Sequence, residues 1–135
     1  MPAAPKPGKK KKAKRKKKPS LKSLKTKADI AFSKFIRDRD AKNLKGLCCT
    51  CGQPGNQAGH FVKRSYMALR YDPLNVHLQC FRCNHHLSGN ESEYAKFIIN
   101  KYGIEIFMLL MERKKEIFKL TRDYLEQVIF AYGVR

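Results

Sequence analysis

From Leu21 onward, apolar residues recur at three- and four-residue steps: Leu24, Ala28, Ala31, Phe32, Phe35 and Ile36, with Lys, Arg and Asp between them. That spacing gathers them on one face and predicts an amphipathic helix over residues 22 to 42, within an N-terminal helical segment 21–43, before Gly46 ends the connection. A turn cluster follows at Gly52-Gln53-Pro54-Gly55-Asn56, and Ala58 to Lys63 reads as a short strand. Asp72-Pro73 marks a second turn, and Leu74 to Gln79 alternates well enough for a returning strand that carries Asn75 and His77 on one parity. A short helix from Cys80 to near Gly89 closes this middle segment, residues 46–90.

Residues 91–135 return to helical spacing. Asn90 with Glu93 reads as a cap and its reciprocal partner, starting a helix through Tyr94, Phe97, Ile98 and Lys101 that stops at Gly103. Ile104 to Lys115 is apolar on most sides around Ile106, Phe107, Leu109 and Leu110, which suits burial or a homodimer contact. Thr121 is placed to cap a last helix whose Tyr124, Leu125, Val128, Ile129 and Tyr132 share a face before Gly133. The expected class is α+β: a small hairpin core between an N-terminal helix and C-terminal helices.

The chemistry of the middle segment lies in its cysteines. Cys48-Cys49-Thr50-Cys51 and Cys80-Phe81-Arg82-Cys83 each have C-x-x-C spacing, whose short bite lets two thiolates take adjacent corners of a zinc tetrahedron. Together they make one four-thiolate zinc site from Cys48, Cys51, Cys80 and Cys83, with Cys49 as bystander. The 28 residues between the pairs exceed zinc-ribbon spacing, so that loop carries structure of its own. Strand, loop, strand and helix around a metal is a zinc-stabilised ββα-metal, treble-clef-like arrangement. A disulfide framework fits poorly, because five cysteines are an odd number and the chain opens with prolines and lysines rather than an apolar signal segment, which points to the cytoplasm. In a chain of 135 residues a structural metal supplies much of the folding free energy.

Charge then narrows the partner. Thirty basic residues oppose 11 acidic ones, and 13 of the basic ones precede Asp29, the first acid. Residues 1–20 read as a disordered lysine-rich tail with too little apolar surface to fold and no apolar face for a membrane. Lys10, Lys12, Arg15 and Lys17 are its candidate phosphate contacts, and Phe61, Lys63, Arg64, Arg70 and Arg82 are the candidate DNA contacts beside the hairpin. His60, between the cysteine pairs, is the candidate general base, since an imidazole titrates near neutrality and can take a proton from water.

Ala58-Gly59-His60, Leu74-Asn75-Val76-His77-Leu78-Gln79-Cys80 and Cys83-Asn84-His85-His86-Leu87-Ser88-Gly89-Asn90 together resemble the HNH class of nucleases. More narrowly they resemble the lambdoid phage NinG family, also called Rap, over about Ala28 to Tyr132, including Phe35-Ile36-Arg37-Asp38-Arg39-Asp40 and Glu93-Tyr94. The resemblance implies a phage recombination endonuclease that cuts branched DNA, D-loops and Holliday junctions, leaving 5′-phosphate and 3′-hydroxyl ends. It implies that Asn75 fixes His60 and that Asn84 helps hold a catalytic divalent cation, Mg²⁺ or Mn²⁺. Among the histidines left to complete that site, His77 and His86 are preferred over His85. One departure stands out: the position before the base, often Asp or His in the class, is Gly59 here. A zinc-stabilised nucleic-acid-binding module without catalysis, and an accessory protein recruiting a recombinase through its C-terminal helices, are the competing readings.

Overall fold

A computed structural model describes residues 3–5, 8 and 17–133. The first helix, α1, spans Leu21–Asn43, one residue beyond the expected limits at each end. Ser20 caps it by accepting the Ser23 N–H at 3.1 Å, satisfying one of the donors a helix start leaves free. Leu24, Ala28, Phe32, Ile36 and Asp40 form its buried stripe at steps of four. Two short strands follow, β1 (Gln57–His60) and β2 (Val76–Gln79), antiparallel and in the register Gln57↔Gln79, Ala58↔Leu78, Gly59↔His77 and His60↔Val76. Period two sends Ala58 and Val76 into the core against α1, and His77 and Gln79 to the other face.

Both strands are shorter than their alternation suggested, and Asn75 is the reason. The ladder takes one more bond, Phe61 N–H to the Asn75 carbonyl at 2.8 Å, after which the Asn75 side chain replaces the partner strand. Its Oδ1 accepts the Val62 N–H at 2.7 Å and its Nδ2 donates to the carbonyls of Val62 (2.9 Å) and Leu69 (3.1 Å). The chain after Phe61 therefore turns away as a loop while its polar groups stay satisfied.

Three more helices complete the fold: α2 (Glu91–Tyr102), α3 (Ile104–Arg113) and α4 (Arg122–Tyr132). Thr121 caps α4 as expected, accepting the Tyr124 N–H at 3.2 Å. α4 packs on α1, where Leu125 and Val128 join the buried stripe and Tyr132 meets Phe32 edge-on at 5.1 Å. α2 and α3 close a second core around Phe61, Val62, Leu69, Tyr94, Ile98 and Leu110. Arg39 and Asp40 pin α1 to β2: Arg39 donates to both oxygens of the fully buried Asp40 and to the carbonyls of Pro73 and Val76, while Asp40 accepts the Leu78 N–H. Removing one member of such a pair typically costs about 3–5 kcal/mol, because the other charge is left uncompensated.

Two helix expectations need correction. Asn90 makes no side-chain cap to α2; it lies in the left-handed region (φ 50°) and its Nδ2 donates to Cys83 Sγ instead. For α3, of the two alternatives of burial and a homodimer contact, burial does not hold, since Leu110 is its one buried residue and Ile104, Met108 and Leu109 are 48–62% exposed. Among the described residues no helix is long and apolar enough to cross a membrane. The tail candidates Lys10, Lys12 and Arg15 lie outside the described residues, as does most of the expected disordered segment; Lys17 is exposed just before α1.

Candidate functional site

The two cysteine pairs converge. The sulfurs of Cys48, Cys51, Cys80 and Cys83 all lie within 4.8 Å of one another, and Cys51 Sγ is 3.6 Å from Cys80 Sγ. Zinc held at about 2.3 Å by four thiolates places the sulfurs about 3.8 Å apart, so the set fits a tetrahedral metal such as zinc. The surroundings treat the sulfurs unequally: against a backbone hydrogen bond at Gln53, burial and the neighbouring sulfurs of Cys80, Cys48 and Cys83 push the Cys51 thiol up to about 12, while Cys48 is favoured as a thiolate. Cys48 Sγ is 3.2 Å from the Thr50 hydroxyl, Cys80 Sγ accepts the Cys83 N–H and Cys83 Sγ accepts from Asn90. Burial opposes ionisation of Cys48, but the Thr50 hydroxyl and backbone hydrogen bonds at Cys80, Thr50 and Cys51 outweigh it and bring the thiol down to about 6. Cys49 stays outside the set, its N–H bonded to the Leu78 carbonyl and its thiol pushed up by burial and by the charge of Cys48.

Beside this clamp a cleft of about 750 Å³ opens along β1. α1 supplies one wall with Asp29, Ser33 and Arg37. Lys63, Arg64 and Ser65 of the loop after β1 form the rim, and the wide single turn Arg82–His86 supplies the far side with Asn84 and His85. His60 lines the cleft, with Nε2 2.9 Å from the Arg70 carbonyl oxygen. A carbonyl can only accept, so Nε2 carries the ring proton and Nδ1 keeps its lone pair. Burial first, then the positive charges of Arg70 and Arg64, push this imidazole down to about 4, against the opposing pull of the Arg70 carbonyl and Asp29. It is therefore neutral at neutral pH.

What orients His60 is not the expected partner. Asn75 is fully buried and bonds Val62 and Leu69, not the imidazole, so its part is to hold the loop whose next carbonyl, that of Arg70, receives the ring. Arg70 in turn is fixed by Asp29, which accepts from Nε at 2.9 Å and from the terminal nitrogen at 2.6 Å, and by its donation to the Arg64 carbonyl. Burial raises the Asp29 carboxyl, but hydrogen bonds from Arg70 and Tyr71 and the charges of Arg70 and Arg64 hold it below the usual range. The chain Asp29, Arg70, His60 spans α1, the loop and β1. Sequence reading missed Asp29, whose partner is 41 residues away.

Other expected site residues divide between the cleft and the core. Asn84 reaches the cleft, its Nδ2 donating to Gln57 Oε1 at 2.8 Å and its carbonyl oxygen left available. His77 does not: it is fully buried on the α2 side, with Nε2 2.7 Å from the Tyr102 hydroxyl and Nδ1 3.3 Å from that of Tyr94. Burial, with help from the Arg39 charge, pushes it down to about 3, and an ion at either nitrogen would have to displace a tyrosine hydroxyl. His86 is exposed, edge-on to Phe81, and does not line the cleft, whereas His85 does. Lys63 and Arg64 are exposed on the rim of the cleft. Phe61 is not available for stacking, being packed between Tyr94 and Phe107. Arg70 is not a free cation, and Arg82 is exposed but outside the cleft.

The bare backbone at Gly59 has a local cause. The Gln79 side chain lies across it, so that an added Cβ would meet Gln79 Cδ at 2.6 Å and Cγ at 2.8 Å. Gln79 is fully buried, and its Nε2 donates to the Gly89 carbonyl (2.9 Å) and the Thr50 hydroxyl (3.2 Å), tying the thiolate clamp to the strand that carries His60. Its Oε1 is the one buried side-chain polar atom without a hydrogen-bond partner among the described residues.

A family profile described as bacteriophage Lambda NinG protein matches residues 3–135. Among curated proteins, the chain is 39% identical over 82 residues to Protein ninG of Escherichia phage 933W, a match covering 58% of this chain and 39% of the relative. It is 38% identical over 81 residues to Protein ninG of Salmonella phage P22, covering 57% and 38% of the two chains. To Protein ninG of Escherichia phage lambda it is 37% identical over 82 residues, covering 58% and 39%. The chain thus spans about 39% of the length of these relatives. No solved structure matches.

Proposed function

Since the chain belongs to the bacteriophage Lambda NinG family, we propose that it is a phage recombination endonuclease whose cleft hydrolyses phosphodiesters in branched DNA. One arrangement carries the reading: a neutral imidazole, fixed through Nε2 by a backbone carbonyl, in a cleft rimmed by cations. Arg37, Lys63 and Arg64 make no ion pair among the described residues, so their charge is free for phosphates.

In this reading His60 Nδ1 accepts a proton from the attacking water, and the Arg70 carbonyl stabilises the imidazolium that forms. A base at about 4 is weak, but a phosphate entering the cleft brings negative charge that raises it toward working pH. A hard divalent cation takes oxygen ligands, few of them from protein when phosphates supply the rest. Of the possible donors, the Asn84 side-chain oxygen lines the cleft, whereas the orphaned Gln79 Oε1 lies fully buried beside Gly59 and outside the lining. Asn84 would hold Mg²⁺ or Mn²⁺, the substrate's phosphate oxygens completing its shell. When bound, the cation supplies positive charge for the departing 3′ oxygen, leaving 5′-phosphate and 3′-hydroxyl ends. The setting is the host cytoplasm during phage recombination, where the exposed side of α3 is the face for a second copy or a recombinase.

The test is incubation of D-loop, four-way-junction and plain duplex substrates with the protein and Mg²⁺ or Mn²⁺, followed by end-group analysis. Preferential cutting of the branched substrates to 3′-hydroxyl ends supports the proposal. Binding without cutting under every cation supports the second reading, a zinc-stabilised nucleic-acid-binding module, which the commitment of Asp29 to Arg70 and the bare Gly59 favour.

A further inference from the structure

We propose that the cleft takes a single DNA strand with an unstacked base: Arg37, with Lys63 and Arg64, grips its phosphates, and the stacked pair His85 and Phe81 receives the base. The inference rests on the nucleic-acid reading of the cleft and deepens it by naming the feature of branched DNA that is recognised.

The two sides of the cleft differ in kind. β1 packs against α1 on one side and the turn Arg82–His86 on the other. On the α1 and loop side stand the cations. Arg37 is exposed, and its guanidinium bonds only its own helix, Nε to the Ser33 carbonyl at 3.4 Å. Lys34, Arg39 and Arg70, by contrast, are each paired with a carboxylate. On the other side His85 lines the cleft and stacks on Phe81, which stands just outside the lining, ring centroids 4.5 Å apart at 26°. Phe81 is 52% exposed although its ring is apolar, and it sits between Cys80 and Cys83, two of the four converging cysteines. An exposed aromatic pair offers a surface that a base can extend.

This arrangement selects against plain duplex, because paired bases are already stacked on both faces. A strand at a junction, flap or loop has a base free to stack, and its phosphates then face the cations across the cleft. Stacking on one aromatic is worth about tenfold or more in affinity.

The experiment uses oligonucleotides carrying 2-aminopurine in a single strand, at a four-way junction and in plain duplex. Fluorescence and affinity are read without added Mg²⁺ or Mn²⁺ and without chelator, so that the thiolate site stays loaded and no cutting occurs. Wild type should quench the probe in the single strand and junction. Phe81→Ala should lose the quench and about tenfold in affinity for those two, with duplex affinity within twofold of wild type. Phe81→Tyr, which keeps the ring, should restore both and guards against a folding defect in the alanine variant. Arg37→Ala should reduce the slope of log affinity against log salt by about one while keeping the quench. Retained quench in Phe81→Ala, loss in Phe81→Tyr, or an equal loss on duplex overturns the inference. A protein that quenches as expected but never cuts separates this binding mode from the hydrolytic reading.

Discussion

Replacing Gly59 with alanine sets a methyl group against the buried Gln79 carboxamide, 2.6 Å from its Cδ and 2.8 Å from its Cγ, well inside contact distance. Gln79 has nowhere to go at low cost. It is fully buried, and any rotation that clears the methyl breaks its bonds to the Gly89 carbonyl and the Thr50 hydroxyl. Two lost hydrogen bonds cost about 1 kcal/mol each, and overpacking of a closed interior costs about 1–3 kcal/mol more if the strand moves instead. The expected loss is about 2–4 kcal/mol, read as a lower midpoint in urea at unchanged slope, or as a fall in Tm of about 8–20 °C. Gly59→Ala combined with Gln79→Ala should be less destabilised than the sum of the two single variants, because the second change removes the clash that the first creates. Gly59→Ala within about 0.5 kcal/mol of wild type would refute the packing of Gln79 over Gly59, and with it the explanation for the missing side chain before His60.

Two further outcomes concern charge and metal. The folded value of about 4 for His60, against an ordinary 6.5, means the folded state binds fewer protons between those limits; its stability is full above about 6.5 and falls by about 3 kcal/mol, at about 1.4 kcal/mol per pH unit, as pH drops to 4. His77, at about 3, acts in the same direction, so the readout is the difference between wild type and His60→Gln in acid unfolding without Mg²⁺; identical acid slopes would contradict the burial of His60. Replacing Cys80 by serine should abolish retention of one metal ion per chain in native mass spectrometry and remove the cooperative melt, because a structural zinc typically contributes about 10–16 kcal/mol, as much as a domain's whole stability. A Cys80→Ser protein that keeps its metal and its melt would show that the four sulfurs are not one site.

What could be read from the sequence follows the length over which a pattern averages. α1 repeats its apolar step over 23 residues and α4 carries both a threonine cap and a shared apolar face, so their limits were legible. The cysteine pairs were legible because C-x-x-C spacing is itself geometry. The hairpin's two strands were legible but their limits were not, since a ladder of four residue pairs is too short for alternation to mark its ends, and the Asn75 side chain that ends it looks like any other asparagine. The same limit applies to exposure. Phe61 and Phe81 both stand beside the site in sequence, yet Phe61 is packed under Tyr94 and Phe107 while Phe81 is open, a distinction set by helices that arrive later in the chain. His77 shares its parity with Asn75 and so looked available, but that face of β2 is covered by Tyr94, Phe97 and Tyr102. Arg70 likewise reads as a surface cation until α1 brings Asp29 to it.

The central claim is that His60, held by the Arg70 carbonyl, is the base that activates water in the cleft. Single-turnover cutting of one labelled four-way junction, with protein saturating and Mg²⁺ or Mn²⁺ present, tests it directly in wild type and His60→Ala. The account predicts unchanged junction affinity and a rate at least 100-fold lower in the variant, the usual contribution of a positioned acid or base being about 10²–10⁴-fold. Equal rates in the two proteins would contradict it.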